Sequence, residues 1–128
     1  MQTIDQALDR LSGSRFRSGF SLTERDRDYV REKGEEVIRS HAGDFVRTKL
    51  APAEPMNDGK QTPMRGHPVF RAMHATACCC RKCLNRWYRV PLGRPLTETE
   101  QDRIVNLIMA WIGRQMERGP AHPEERDR

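Results

Sequence analysis

No aspartate or glutamate occurs between Lys60 and Pro95, although 32% of the chain is charged. The basic residues of that stretch are Lys60, Arg65, Arg71, Arg81, Lys82, Arg86, Arg89 and Arg94, so it carries +8. The whole chain is +5, which leaves −3 on the remainder. A segment of this kind is either a solvated basic surface or a face for phosphate and other anions. Aromatic residues are also scarce, with four Phe, two Trp and two Tyr, which argues against a large aromatic pocket. No apolar run approaches the length of a membrane span, and no membrane association is expected. The opening MQTIDQALDR carries Asp5 and no apolar core segment, so it does not read as a signal peptide. The expected compartment is therefore the cytoplasm, where thiols stay reduced. Cysteine is absent everywhere except in HATACCCRKC, which holds Cys78, Cys79, Cys80 and Cys83. Disulfides closing such small loops would constrain little chain, so these cysteines would make a poor disulfide framework. Gly59-Lys60 has no Walker A spacing around it, which sets aside a phosphate-binding loop.

The apolar positions that remain fall at helical spacing. Ile4, Ala7, Leu8 and Leu11 define a short helix. SGSRFRSGF reads as a loop anchored by Phe16 and Phe20. Thr23 is a candidate N-cap for a longer helix through Tyr29, Val30, Val37, Ile38, Ala42, Phe45, Val46 and Leu50, weakened at Gly34 and Gly43 and ended by Pro52. Residues 51–66 hold three prolines, two glycines and an Asn-Asp-Gly turn signal, and read as a long loop. Pro68 suits the first turn of a helix that could run to about Tyr88. TETE, Thr97 to Glu100, is a capping box ahead of Ile104, Val105, Leu107, Ile108, Trp111, Ile112 and Met116. No internal repeat and no convincing strand appear. The expected fold class is all-α: a small single domain of about four helices over residues 1–118, with a long Pro/Gly-containing central loop. Residues 119–128 form a polar tail expected to be disordered.

On one straight helix at about 100° per residue, Val69, Ala72, Met73, Thr76, Cys80, Cys83, Leu84 and Trp87 share a stripe. His67, Arg71, His74, Cys78, Arg81, Lys82, Asn85 and Arg89 lie opposite. Cys80 and Cys83 are then ordinary core residues, and His74 cannot reach them. A metal site needs a break between Ala75 and Cys79. Cys80-x-x-Cys83 has zinc-pair spacing, with His74 and one of His67 or Cys79 completing four ligands. Adjacent Cys79 and Cys80 are not expected to share one ion, because successive side chains point apart. An iron–sulfur cluster ranks below this, since it would want four well-separated cysteines. A third reading is a reactive thiol, with Arg81 and Lys82 favouring thiolate and His74 as a possible base, although no carboxylate is near to orient it. Trp87 and Tyr88 lie among Arg86 and Arg89, a weak signal for base stacking between phosphate contacts.

The segments DGKQTPMRGHPVF and HATACCCRKCL, with the helix LTETEQ followed by VNLIMAWI, resemble a family of small bacterial proteins, domain of unknown function 4186. The resemblance extends upstream to the helix near Thr23. Gly66, His67, Pro68, His74, Cys79, Cys80, Arg81 and Cys83 fit the pattern it implies. Position 78 is threonine in that pattern, so Cys78 departs from it and a four-cysteine ligand set becomes less favoured. The resemblance carries no activity. It does imply that the Asn57–His67 loop and the His–Cys stretch belong to one site, which strengthens the metal reading. The expectation is a zinc site of His74, Cys80, Cys83 and one of Cys79 or His67. Beside it would lie a basic face of Lys60, Arg65, Arg71, Arg81, Lys82 and Arg89 for nucleic acid or another polyanion. The alternatives are a small metal- or thiol-dependent enzyme acting on an anionic substrate, and a helical interaction protein with buried structural cysteines.

Overall fold

The computed structural model describes residues 2–55 and 60–118; the Asn57–Gly59 turn signal and the tail expected over 119–128 lie outside the described residues. Among the described residues 67% are helical, in seven α-helices and one π-helical turn, and there is no strand.

Helix α1 (Ile4–Ser12) starts from a capping box in which Thr3 and Gln6 satisfy each other's backbone N–H groups, and it buries Ala7, Leu8 and Leu11. Ser14 caps a four-residue helix, α2 (Arg15–Ser18), inside the stretch expected to be loop. Helix α3 (Glu24–Lys33) opens on a second capping box, Thr23 with Asp26, as the sequence suggests.

Gly34 separates α3 from α4 (Glu35–Phe45) with φ of +87° and ψ of 160°, a conformation open almost only to glycine. Nothing lies within 4 Å of where a Cβ would project, so the cost of a side chain there is backbone strain alone. Gly34→Ala is expected to lower unfolding free energy by about 1–3 kcal/mol, read as a lower urea midpoint at unchanged slope. An unchanged midpoint would mean that the α3–α4 junction does not need this conformation.

The chain passes through Gly43 without interruption and then widens into a π-helical turn over Val46–Leu50, short of Pro52. Helix α5 (Pro68–Ala75) has proline in its first turn and His67 as its cap. Helix α6 is Arg81–Tyr88 and α7 is Glu98–Arg118. At the start of α7 the Thr97–Glu100 capping box closes in both directions, at 2.9 and 3.1 Å. Helix α7 packs against α1, α4 and α5. Ile38, Val46, Leu50, Val69, Met73, Leu84 and Ile108 are all fully buried in the shared core. The single all-α domain matches the expectation. Its helices number more than four because the two longest expected ones each break and α2 forms within an expected loop.

Candidate metal centre

The break in the second of these helices builds the site. Helix α5 stops where Thr76 turns its hydroxyl back onto the Ala72 carbonyl at 2.7 Å. Ala77 follows in the left-handed region, φ 60°, and the Cys78 N–H reaches back to the Met73 carbonyl at 2.7 Å. Neither glycine nor proline marks this turn. It is held from outside: Thr62 donates its hydroxyl to the Cys79 carbonyl at 2.8 Å, and the Tyr88 hydroxyl donates to the Thr76 carbonyl. Cys80 is then extended (φ −158°, ψ 166°) and caps α6, its sulfur accepting from the Cys83 N–H at 3.4 Å.

This geometry brings Cys79, Cys80 and Cys83 together, with their sulfur atoms all within 4.8 Å of one another. The expectation that neighbouring Cys79 and Cys80 point apart holds within a helix or strand. Here one cysteine lies in a turn and the other in an extended cap, so their side chains converge. Cys79 and Cys80 are buried and Cys83 is half-buried.

Arg17 of α2 closes the group from the other side. Its guanidinium donates to the Cys79 sulfur at 3.6 Å, the Cys83 sulfur at 3.2 Å and the His74 carbonyl at 2.6 Å. The neighbouring Cys83 sulfur favours the Cys79 thiolate, and this outweighs burial. Together with Arg17 it holds the Cys79 thiol down at about 7. The same closeness to Cys79 pushes Cys83 up, and burial pushes Cys80 up as well.

His74 does not join the sulfurs. Its Nε2 lies 3.0 Å from the Thr62 carbonyl and 3.1 Å from the Pro63 carbonyl, and Phe20 stacks on its ring at 5.6 Å. It is buried rather than on an outer basic face, and it straps the loop before α5 to the end of that helix. In this way the loop and the cysteine stretch do meet, through Thr62 and His74, but the imidazole is a strut.

His67 lies elsewhere, among Tyr29, Phe45 and Phe70. Its Nδ1 accepts from the Val69 N–H at 3.0 Å and its Nε2 faces His41 Nδ1 at 3.0 Å. Burial, helped by His41 and opposed by Asp26, holds its pKa down at about 4. The unfolded chain thus binds this proton more readily than the folded one. The stability that neutral His67 contributes is complete above about pH 6.5 and is lost as pH falls toward 4. His67→Asn keeps an N-cap acceptor and should flatten that part of the stability–pH curve. A curve of unaltered shape from pH 7 to 4 would remove His67 as its source.

Cys78 is also apart from the group. It is fully buried, its sulfur turned to the Thr76 carbonyl at 3.5 Å, and burial pushes its thiol up to about 12.

The basic segment is partly consumed by the fold. Arg71 pairs with Asp26 at 2.8 Å and Arg94 with Glu100 at 2.8 Å. Arg81, expected on an outer face, is 1% exposed and donates to the carbonyls of Leu50, Pro52, Pro91 and Arg94 at 2.7–3.1 Å. A straight helix would have turned it outward; the restart at Cys80 turns it in. Tyr88, paired with Trp87 as a base-stacking signal, has its hydroxyl committed to Thr76. Arg10 stacks on Trp87 at 4.8 Å. Lys60, Arg65, Lys82 and Arg89 are exposed.

Arg17 is the site residue that the sequence reading missed. The available signal was an arginine between two Phe anchors, Phe16 and Phe20, three positions after a serine suited to capping, Ser14.

Fold and site together define a small all-α domain carrying a three-cysteine cluster able to hold a metal ion. The family model for the domain of unknown function DUF4186 matches residues 5–113, and the chain belongs to that family. No solved structure matches it.

Proposed function

We propose that Cys79, Cys80 and Cys83 hold one soft divalent ion of the zinc type, and that the ion ties the α5–α6 break to α2. The observation that carries this reading is three sulfurs within 4.8 Å of one another. Zinc–sulfur bonds of about 2.3 Å put the sulfurs of a tetrahedral site at about 3.8 Å apart, so only a small contraction is needed. Sulfurs this close suit one ion better than a cluster, which spreads its ligands over several irons. Three thiolates around a divalent ion leave one net negative charge, and the Arg17 guanidinium, already on two of the sulfurs, offsets it. The fourth position is left to water or an added ligand. Soft thiolates favour zinc and copper(I) over the harder cations.

The test is elemental analysis of the purified chain beside its Cys83→Ser variant. One equivalent of zinc in the parent and none in the variant is the expected result. Metal-free parent protein in which Cys79 alkylates readily at pH 7 would replace this reading with a thiol chemistry supported by Arg17.

Polyanion binding is a second reading, drawn from the exposed Lys60, Arg65, Lys82, Arg86 and Arg89 rather than from the whole segment. With at most five such phosphate contacts, the slope of log K against log salt on single-stranded nucleic acid should not exceed about −3.5. Binding that ignores salt, or no binding, removes this reading and leaves the metal centre untouched.

A further inference from the structure

A cavity of about 580 Å³ opens between α1, α6 and α7, with Cys78 but none of Cys79, Cys80 and Cys83 in its lining. This lies within the range of roughly 300–1,000 Å³ typical of small-molecule sites. Its apolar surface comes from Ile4, Ala7, Cys78, Leu84, Ile104 and Leu107. Cys78 is a buried part of that surface.

Most of the polar groups around the cavity are already engaged. Tyr88 donates to Thr76, and Asn106 accepts from Arg39 at 2.8 Å. Thr3 belongs to the α1 capping box. The one acid of the lining, Glu100, is held by both nitrogens of Arg94 at 2.8 Å, which neutralises it. Two lining residues are different. Arg89 and Arg103 are exposed and make no ion pair with a described residue.

Arg89 carries a second, independent mark. It ends α6 in the left-handed conformation, φ 59° and ψ 29°. Glycine or asparagine is the usual residue there, since a larger side chain is strained. The chain thus places a guanidinium at the cavity mouth at the expense of backbone ease. An apolar well with two uncompensated guanidinium groups is complementary to a molecule with a hydrocarbon body and one anionic head. A planar arginine fork pairs with a carboxylate through two parallel N–H···O bonds.

We propose that this cavity binds a medium-chain apolar carboxylate, with the hydrocarbon against Leu84, Ile104 and Leu107 and the carboxylate on Arg89 and Arg103. The site goes beyond the metal centre and does not depend on it.

The test is calorimetric titration of the full chain with decanoate, and with decanol as the neutral counterpart of equal chain length. Saturable decanoate binding, at least tenfold tighter than decanol, is expected. The Arg89→Gly, Arg103→Gln double variant should weaken it by tenfold or more. Arg89→Gly alone should hold or raise the melting temperature of the unliganded protein while weakening decanoate, which separates lost binding from lost fold. Arg103→Gln, exposed on α7, gives the same reading if the double variant does not fold. No saturable decanoate binding below millimolar concentration, equal affinity for decanol, or unchanged affinity in Arg103→Gln would each overturn the proposal.

Discussion

Arg81→Met is expected to cost the fold on the order of 3–5 kcal/mol, the largest effect of any single non-cysteine substitution considered. The guanidinium is buried, and it is the common donor to four backbone carbonyls from two separate segments. Leu50 and Pro52 lie at the end of the π-helical turn, and Pro91 and Arg94 lie in the connector before α7. Each charge-assisted bond of this kind contributes roughly 1.5–3 kcal/mol, and the four are not additive. Methionine fills much of the volume and leaves the carbonyls without their shared donor. Single domains of this size have only about 5–15 kcal/mol of stability in all, so the variant should unfold at much lower urea concentration. Arg81→Lys keeps the charge but not the planar fork, and should fall between the two. The measurement is urea unfolding of the three proteins. A Met variant within about 1 kcal/mol of the parent would show that solvent replaces the guanidinium at these carbonyls, and that Arg81 is not the clamp described.

The same residue shows where the sequence was readable and where it was not. Local signals were reliable wherever a helix end is decided by the residues at that end. Thr23, Pro68 and the Thr97–Glu100 box all stand where capping chemistry puts them. So was the core of α7, because a 3.6-residue apolar stripe has few other ways to be buried. The α5–α6 turn carried no such signal. Residues 75–80 contain neither glycine nor proline, and Ala77 takes a left-handed conformation that alanine avoids on its own. What stabilises that turn comes from Thr62, 17 positions away from the Cys79 carbonyl it meets, and from Tyr88, 12 positions from Thr76. An unbroken helix therefore placed Arg81 outside and Cys79 away from Cys80, and one turn reverses both; His74, also placed outside, lies before the turn in α5 and is buried by Thr62, Pro63 and Phe20. The requirement for a break near Ala75–Cys79 was legible from the chemistry. Its consequence was not, because the break folds Cys79 back toward Cys83 while His74 stays with Thr62 and Pro63. Arg17 was harder still, since a four-residue helix has almost no periodicity to detect.

Removal of the proposed zinc-type ion is the second large effect expected. An ion bound only by the folded chain stabilises it by RT ln(1 + [M]/Kd), about 4 kcal/mol when free metal is a thousandfold above Kd. A chelator strong enough to strip the site should remove that contribution. The loss should be focused on α2 and the 76–83 turn, where hydrogen exchange would show it as faster opening. Cys83→Ser should reproduce the stripped state and no longer respond to chelator. Cys78→Thr is the control, because its sulfur faces Thr76 and the cavity rather than the other cysteines. It should keep full metal content and full chelator response. Arg17→Met separates the guanidinium from the ion. If the metal organises the cluster, this variant still binds one equivalent, more weakly, because the residual negative charge of three thiolates is then uncompensated. If Arg17 alone holds the sulfurs together, the parent shows no chelator response and Arg17→Met destabilises it whether or not metal is added. That combination of results would remove the metal centre, and Arg17 would be left as the structural counter-charge of a low-pKa cysteine.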